Sequence, residues 1–545
     1  MGIRLSLATL LLTVSAFAQT PVTVVVDAGA DRHAIDSRIY GVAFASAAQL
    51  SDLNVATNRS GGNSTTRYNW QDDASNRAQD WFFESIGEDA GIAGGSADRF
   101  VADAKSANAE AMITIPMIGW VAKLGPNRGK LASFSVARYG LQQSTDPYMP
   151  DAGNGVRGDG SLITGNDPHE ANIPVDAQFQ AAWVRHIVST WGMANDGGVR
   201  YYLLDNEPSI WFATHRDVHP EGARMDEVLA DIIAYAGAIK AVDASAIVLG
   251  PEEWGWSGYF YSGYDQQWGA AHDWSSFPDR ESHGGRDYIP YLLQQLKARQ
   301  DAGGARLLDV LTVHYYPQGG EFSDDTSAQM QLRRNRSTRA LWDANYKDES
   351  WIDDNVALIP RLRGWVSAFY PGTMTGITEY NWGAETQING ATAQADILGI
   401  FGREGLDVAN RWTTPDSGTL AYNAIRMYRN YDGRKSSFGD VSVRAATPDP
   451  DTLSAFAATR TSDGALTVML VSKALSGDRA VTINVRNRTL TAPAQVWQLT
   501  SQNAITRLGD VPPSGSSAVI TVPPQSITLL VFPPAGAARR RAASR

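Results

Sequence analysis

The chain has 545 residues and no cysteine. Disulfides therefore play no part in its stability, and no thiol can act as nucleophile or metal ligand. Positive charge is in deficit as well: 47 Lys and Arg stand against 58 Asp and Glu, a formal net charge of −11. That balance argues against nucleic acid as a partner, because phosphate binding needs clustered Lys and Arg. The one basic run, Arg539-Arg540-Arg541, follows a Pro-rich end and reads as a frayed, solvated tail. Long apolar runs are missing too. No segment reaches the roughly 18 uninterrupted apolar residues of a membrane helix, so no membrane partner is expected.

Several catalytic signatures are also absent. There is no Gly-x-Ser-x-Gly elbow; Gly255-Trp256-Ser257-Gly258 is one residue short. There is no His-Glu-x-x-His zinc motif. A G-x-G-x-x-G does occur at Gly153-Asn154-Gly155-Val156-Arg157-Gly158. It lies in a polar loop with no strand before it and no helix after it, which removes the dinucleotide reading.

What is present begins with an export signal. Arg4 supplies the charged start, Leu5 to Val14 a short apolar core, and Ala16-Phe17-Ala18 an A-x-A cleavage site before Gln19. The mature protein is expected to be soluble and secreted, extracellular or periplasmic, and monomeric. Its length exceeds what one core organises, so two domains are expected. The 16 Trp and 20 Tyr are plentiful, and such side chains suit sites where a flat apolar face meets a ligand with a wet edge.

From about residue 37, strands and helices alternate. Asp176 is placed to cap a helix with Phe179, Trp183, Ile187 and Trp191 on one face. Met225, Val228, Leu229, Ile232, Ala236 and Ile239 have helical spacing. Strands near residues 40, 57, 113, 202, 248, 310, 376 and 409 number eight and predict a (β/α)8 barrel over 37–435. Beyond residue 436 the pattern changes to short β-rich segments divided by turns such as Ser462-Asp463-Gly464, which predicts a β-sandwich over 436–535. The strand at Pro21–Asp27 has no helix after it and is expected, within 19–36, to join that sandwich. Residues 536–545 are expected to form a disordered tail.

Two segments share one design. Tyr201-Tyr202-Leu203-Leu204-Asp205-Asn206-Glu207-Pro208 is an apolar run ended by a carboxylate and a proline. Pro208 cannot donate to a ladder and biases Glu207 to extended geometry, so the strand is expected to stop at Glu207. Met374-Thr375-Gly376-Ile377-Thr378-Glu379-Tyr380-Asn381-Trp382 repeats the arrangement. Each glutamate would stand at a strand's C-terminal end, where barrel chemistry is built. Two carboxylates facing each other across a cleft are what glycosidic cleavage needs. Glu252 and Glu253 form a competing pair, but adjacent strand residues face opposite ways, so at most one reaches the cleft.

Together with Asn58-Arg59-Ser60-Gly61-Gly62-Asn63-Ser64-Thr65-Thr66-Arg67-Tyr68-Asn69-Trp70 and Val313-His314-Tyr315-Tyr316-Pro317, these segments make the chain resemble glycoside hydrolase family 44. The resemblance implies a barrel with a β-sandwich and a retaining endo-β-1,4-glucanase or xyloglucanase acting on β-1,4-glucan polysaccharides. It also implies Glu207 as general acid/base and Glu379 as nucleophile. Read chemically, Arg59 and Tyr316 are placed to hold Glu379 as a carboxylate, and Asn206 to hold a sugar 2-hydroxyl. Trp70, Trp211, Trp382 and Trp412 are candidate stacking platforms for glucose rings, with a barrel-rim or core role as the alternative for each. His314 reads as a donor behind the carboxylates or a satisfied core histidine. No cofactor is required. A structural calcium ion has candidate ligands in Asp151, Asn154, Asp159 and Asp167, against a plain Asx-turn loop. The rival functions are a xylanase or mannanase of the same architecture, and a non-catalytic glycan-binding protein.

Overall fold

Eight short segments, most of them apolar and separated by helices, close into a parallel barrel in the computed structural model, which describes residues 21–534. They are β1 Gly41–Ala43, β2 Thr57–Ser60, β3 Glu110–Ile115, β4 Tyr201–Leu204, β5 Ile247–Glu253, β6 Val310–Tyr315, β7 Met374–Tyr380 and β8 Val408–Arg411. Each pairs with its neighbour in sequence, and β8 returns to β1. The expected signal segment at 1–18 and the tail at 536–545 lie outside the described residues.

Period-2 alternation sorts the barrel side chains. Met112, Tyr201, Leu203, Leu249, Val310 and Val408 form a separate cluster that fills the barrel interior. Their neighbours Ile113, Tyr202, Leu204, Val248, Leu311, Val313, Ile377 and Ala409 pack outward against the helices. The helix cap read from the sequence is present: Asp176 accepts from the backbone N–H groups of Gln178 and Phe179 at the start of Ala177–Trp191.

Two register shifts interrupt the alternation near the top of the barrel. On β5, Pro251 pairs with Thr312 and Glu253 with Val313, leaving Glu252 as the extra residue. On β7, Ile377 pairs with Val313 and Glu379 with His314, leaving Thr378 over. A bulge reverses which face the following side chains address. The reversal turns Glu379 to the same side as His314.

The second domain is a mostly antiparallel sheet system folded into a sandwich. Val22–Asp27 lies between Val441–Ala446, antiparallel, and Arg479–Arg486, parallel. Val24, Val26, Leu466, Val468, Leu470, Val481, Ile483, Val496 and Phe532 belong to its core. One strand, Thr506–Val511, went unread in the sequence. Its six residues Thr-Arg-Leu-Gly-Asp-Val carry no alternation because it is an exposed edge paired only with Ala494–Leu499.

The strands Leu453–Thr459 and Leu466–Ser472 are buried on both faces, which is why they read as nearly continuous apolar runs. One face fills the sandwich. The other, with Phe456, Met469 and Val471, joins the barrel's own core. Helix Ile388–Glu404 is the partner there. A Cβ on Gly399 would lie 2.2 Å from the Phe456 ring, so glycine is what permits the close approach. Within the same contact, Lys473 Nζ donates to Asp396 Oδ2 at 2.5 Å, and both side chains are 1% exposed. Thr338 Oγ1 donates to the same oxygen at 2.7 Å.

Removing one member of a buried ion pair strands the other charge. Lys473→Ala should therefore lower stability by about 3–5 kcal/mol, read as a lower urea midpoint. The apolar double replacement Lys473→Met/Asp396→Leu should recover most of that loss.

Candidate active site

Strand β4 ends at Leu204, and the chain turns sharply through Asp205, Asn206 and Glu207. The sequence predicts an extended Glu207. Instead Glu207 has φ 50° and ψ 55°, in the left-handed region, and Asp205 has φ 61°. Hydrogen bonds to Asp205 and from the Glu207 N–H hold the turn. Asp205 Oδ2 accepts from Ile118 N at 3.0 Å and from Met117 N, and Oδ1 accepts from Asn206 N at 2.7 Å. Glu207 N donates to the Glu252 carbonyl at 3.0 Å. Such positions persist where the surroundings over-determine them, and they gather at active sites.

Arg59, on β2, points into the barrel mouth and is fully buried. Its Nη1 donates to Glu379 Oε1 at 2.6 Å. Its Nη2 donates to Glu252 Oε2 at 3.1 Å and to Asn206 Oδ1 at 3.4 Å. Gly61 makes room for it, since a Cβ there would stand 2.3 Å from the guanidinium. Tyr316 Oη donates to Glu379 Oε2 at 2.9 Å. His314, from β6, sits between the carboxylates: Nδ1 is 2.8 Å from Glu207 Oε1 and 3.5 Å from Glu379 Oε2, and Nε2 is 3.3 Å from Glu252 Oε2. One oxygen of Glu207, one of Glu379 and a ring nitrogen of His314 all lie within 4.8 Å of one another.

These contacts set the charges. Burial pushes the Glu207 carboxyl up, and the charge of Glu379 adds to the rise, against the hydrogen bond and charge of His314. Burial alone would lower His314, but the charge of Glu379 and the hydrogen bonds with Glu207 and Glu252 override it and lift the imidazole to about 9. Glu252 is held below its ordinary value: burial opposes this, but Arg59, His314 and Thr312 outweigh it. Glu253 turns away to accept from Ser209 Oγ at 2.5 Å, and burial pushes it up to about 8. So of the adjacent pair, Glu252 is the one that enters the cluster.

Asn206 is buried, with its Oδ1 also accepting from Gly62 N at 3.2 Å and its Nδ2 donating to Asn63 Oδ1 at 3.3 Å.

The four tryptophans separate. Trp211 is 1% exposed and donates to the Asn206 carbonyl at 3.0 Å; Trp382 is 2% exposed and donates to Ser337 Oγ at 2.9 Å. Neither offers a face to a ligand, which corrects the expectation of stacking there. Both follow strand ends, but their rings turn into the helix layer, where apolar area is buried most completely. Trp70 packs on Phe179 and His186 of the helix at 177–191, also away from the cluster. Trp412, directly after β8, is only half-buried. Arg59 lies 5.7 Å from its ring centroid, and the exposed Phe44 meets its edge.

Other aromatics take the place of those three. Trp254, Trp256, Phe260, Tyr261, Trp274 and Trp351 line a trough of about 870 Å³, joined by Ile210, three residues after Glu207. The dense run of Trp and Tyr between 254 and 274 was the available signal. A strand-end criterion passes over it, because most of these residues lie on helices and loops beyond β5.

The four loop residues offered for calcium do not converge. Asp151 accepts from Ala137 N and Ser135 Oγ, both at 2.7 Å; Asn154, Asp159 and Asp167 each accept from a backbone N–H two residues on. Their oxygens serve Asx turns and a helix cap. Among the described residues the single group of three His, Asp or Glu side chains near enough to share an ion is Glu207, His314 and Glu379, whose charges Arg59 already compensates.

Trp211→Ala and Trp382→Ala should each lower the urea midpoint by the equivalent of about 3–5 kcal/mol. Trp412→Ala, with its ring half exposed, should lose clearly less.

The model of glycoside hydrolase family 44 matches residues 74–319, which include Glu207. The "Beta-mannanase/endoglucanase A" of Caldicellulosiruptor saccharolyticus is 30% identical over 516 residues, 88% of this chain, and the match spans only 36% of that longer protein. The "Endoglucanase A" of Paenibacillus lautus is 31% identical over 549 residues, covering 94% of this chain and 73% of its own. Among solved structures, CelM2, a bifunctional glucanase-xylanase protein from a metagenome library, is 62% identical with a TM-score of 0.94, covering 94% of this chain and 99% of its own. With a relative of that identity matched over most of both lengths, and with two buried-edge carboxylates facing each other at a barrel mouth, the chain belongs to glycoside hydrolase family 44.

Proposed function

We propose that the protein is a secreted, monomeric, retaining endo-β-1,4-glucanase that cleaves internal bonds of soluble cellulose derivatives and xyloglucan. The observation that carries this is the approach of Glu207 and Glu379 to within 4.8 Å through one oxygen each. Retaining pairs stand about 5–5.5 Å apart, and inverting pairs leave room for a water between them.

Glu379, held as a carboxylate by Arg59 and Tyr316, attacks the anomeric carbon. Glu207 gives its proton to the glycosidic oxygen as that bond breaks, and the leaving chain departs as an alcohol. Glu207, now a carboxylate, takes a proton from water, whose oxygen displaces Glu379. His314 Nδ1 at Glu207 Oε1 leaves Oε2 as the place for the acid proton. Burial and the charge of Glu379 push the Glu207 carboxyl up, which is the direction acid catalysis needs. Asn206 is the group placed for a sugar 2-hydroxyl.

Internal cleavage is supported by the shape of the mouth. The aromatic trough past β4 to β6 lies on one side, and Trp412 with exposed Phe44 on the other. Flat β-1,4-glucan faces stack on such rings, and branches are free to point to solvent. Export is supported by the charged start, apolar core and Ala16-Phe17-Ala18 site. A second reading, cleavage of xylan beside glucan, is favoured by the 62% identity to a glucanase-xylanase.

Glu207→Ala should slow hydrolysis of polymer by about 10²–10⁴-fold. Azide should restore turnover of an activated aryl β-cellobioside, whose leaving group needs no acid. Full activity of Glu207→Ala on polymer would show the acid assignment to be wrong. Proton NMR should find the β-anomer first. Viscosity of carboxymethylcellulose or xyloglucan should fall well before reducing ends accumulate; glucose or cellobiose released at constant viscosity would contradict internal cleavage.

A further inference from the structure

Behind the two facing carboxylates stands a third that the reaction scheme does not use. Glu252 is fully buried, and every side-chain contact it makes is with a donor on β2 or β6. Its Oε2 lies 3.1 Å from Arg59 Nη2 and 3.3 Å from His314 Nε2, and those two nitrogens are themselves 3.3 Å apart. Thr312 Oγ1 holds its Oε1. It enters the cluster only because it is the extra residue of the β5 bulge, with φ 61°.

We infer that Glu252 is a positioning residue of the reaction: its carboxylate allows Arg59 and His314 to stand charged side by side, and through them it fixes both reacting carboxylates. Two adjacent cations without a shared anion repel strongly in a buried site. With Glu252 and Glu379 as anions opposite Arg59 and His314, the cluster is neutral while Glu207 keeps its proton. Removal of Glu252 leaves an uncompensated positive charge, and a surplus of positive charge expels protons from every titrating group near it. The groups in contact with His314 are Glu207, Glu252, Glu379 and Arg59, with the buried Glu253 behind them, and the proton shared by His314 and Glu207 is the one nearest the surplus charge. The alkaline limb of activity reports that shared proton as a property of the pair.

The inference rests on Glu207 being the acid, and the test separates the two. Glu252→Gln, which keeps shape and removes charge, should move the alkaline limb of kcat/KM on soluble β-glucan to lower pH by about one unit or more. Activity at neutral pH should fall at least about tenfold on polymer, with a smaller loss on 2,4-dinitrophenyl β-cellobioside, whose departure needs no proton. Glu252→Asp, which keeps the charge one methylene further back, should move the limb the same way by less, and serves alone if Glu252→Gln does not fold. An unmoved limb in a folded variant, with equal loss on both substrates, would overturn the inference and leave Glu252 a packing residue. If the limb persists in Glu207→Ala, the acid assignment fails instead.

Discussion

A guanidinium buried in the mouth of the barrel governs the arrangement around it. Arg59 cannot shed its proton, and a buried cation without partners is costly by several kcal/mol. Glu379 from β7 and Glu252 from β5 are drawn to it, and Asn206 supplies a carbonyl oxygen as a third acceptor. The fork geometry of the guanidinium fixes where those oxygens stand. His314 then enters as a second cation, tolerable because one oxygen of Glu252 touches both it and Arg59. Glu207 is left beside His314, whose imidazole is lifted to about 9, and its own carboxyl is pushed up by burial. The two glutamates thus stand in different surroundings, though both lie near the ends of barrel strands.

The scaffold supports that cluster by irregularity as much as by regular pairing. A barrel of uninterrupted strands would send Glu252 and Glu379 outward with Val313 and Ile377. One extra residue in each of β5 and β7 reverses this. Around the barrel, helix Ile388–Glu404 is buried between β7, β8 and the sandwich, and the Lys473–Asp396 pair fixes the two domains in register. The sandwich itself takes in Val22–Asp27, so the segment leading into the barrel and the segment leaving it are tied to one sheet.

Much of this was legible in the residues. Eight short strand segments, most of them apolar, with helical spacing between them predicted the barrel, because strand and helix periodicities are local properties. Asp176 announced its helix, and the change of texture after residue 436 announced the sandwich. Thr506–Val511 escaped because an exposed edge strand needs no apolar face. Among the site residues, Arg59, Tyr316 and His314 were readable as candidates because each stands on or directly after a barrel strand. Trp211 and Trp382 had the same sequence position and a different fate: whether a ring after a strand end turns to the cleft or to the helix layer depends on neighbours far away in the chain, Ser337 for one of them.

By itself, the sequence determined the alternation of elements, the division into barrel and sandwich, the freedom from disulfides, and the presence of two strand-end glutamates. These follow from composition and short-range pattern. Only the tertiary structure decided that Glu207 sits in a left-handed turn, that Glu252 rather than Glu253 faces Arg59, and which aromatic rings stay uncovered. The choice between Glu252 and Glu253 depends on register between strands, and a single-residue bulge changes register without leaving a mark in the local pattern, since pairing is made with a distant segment.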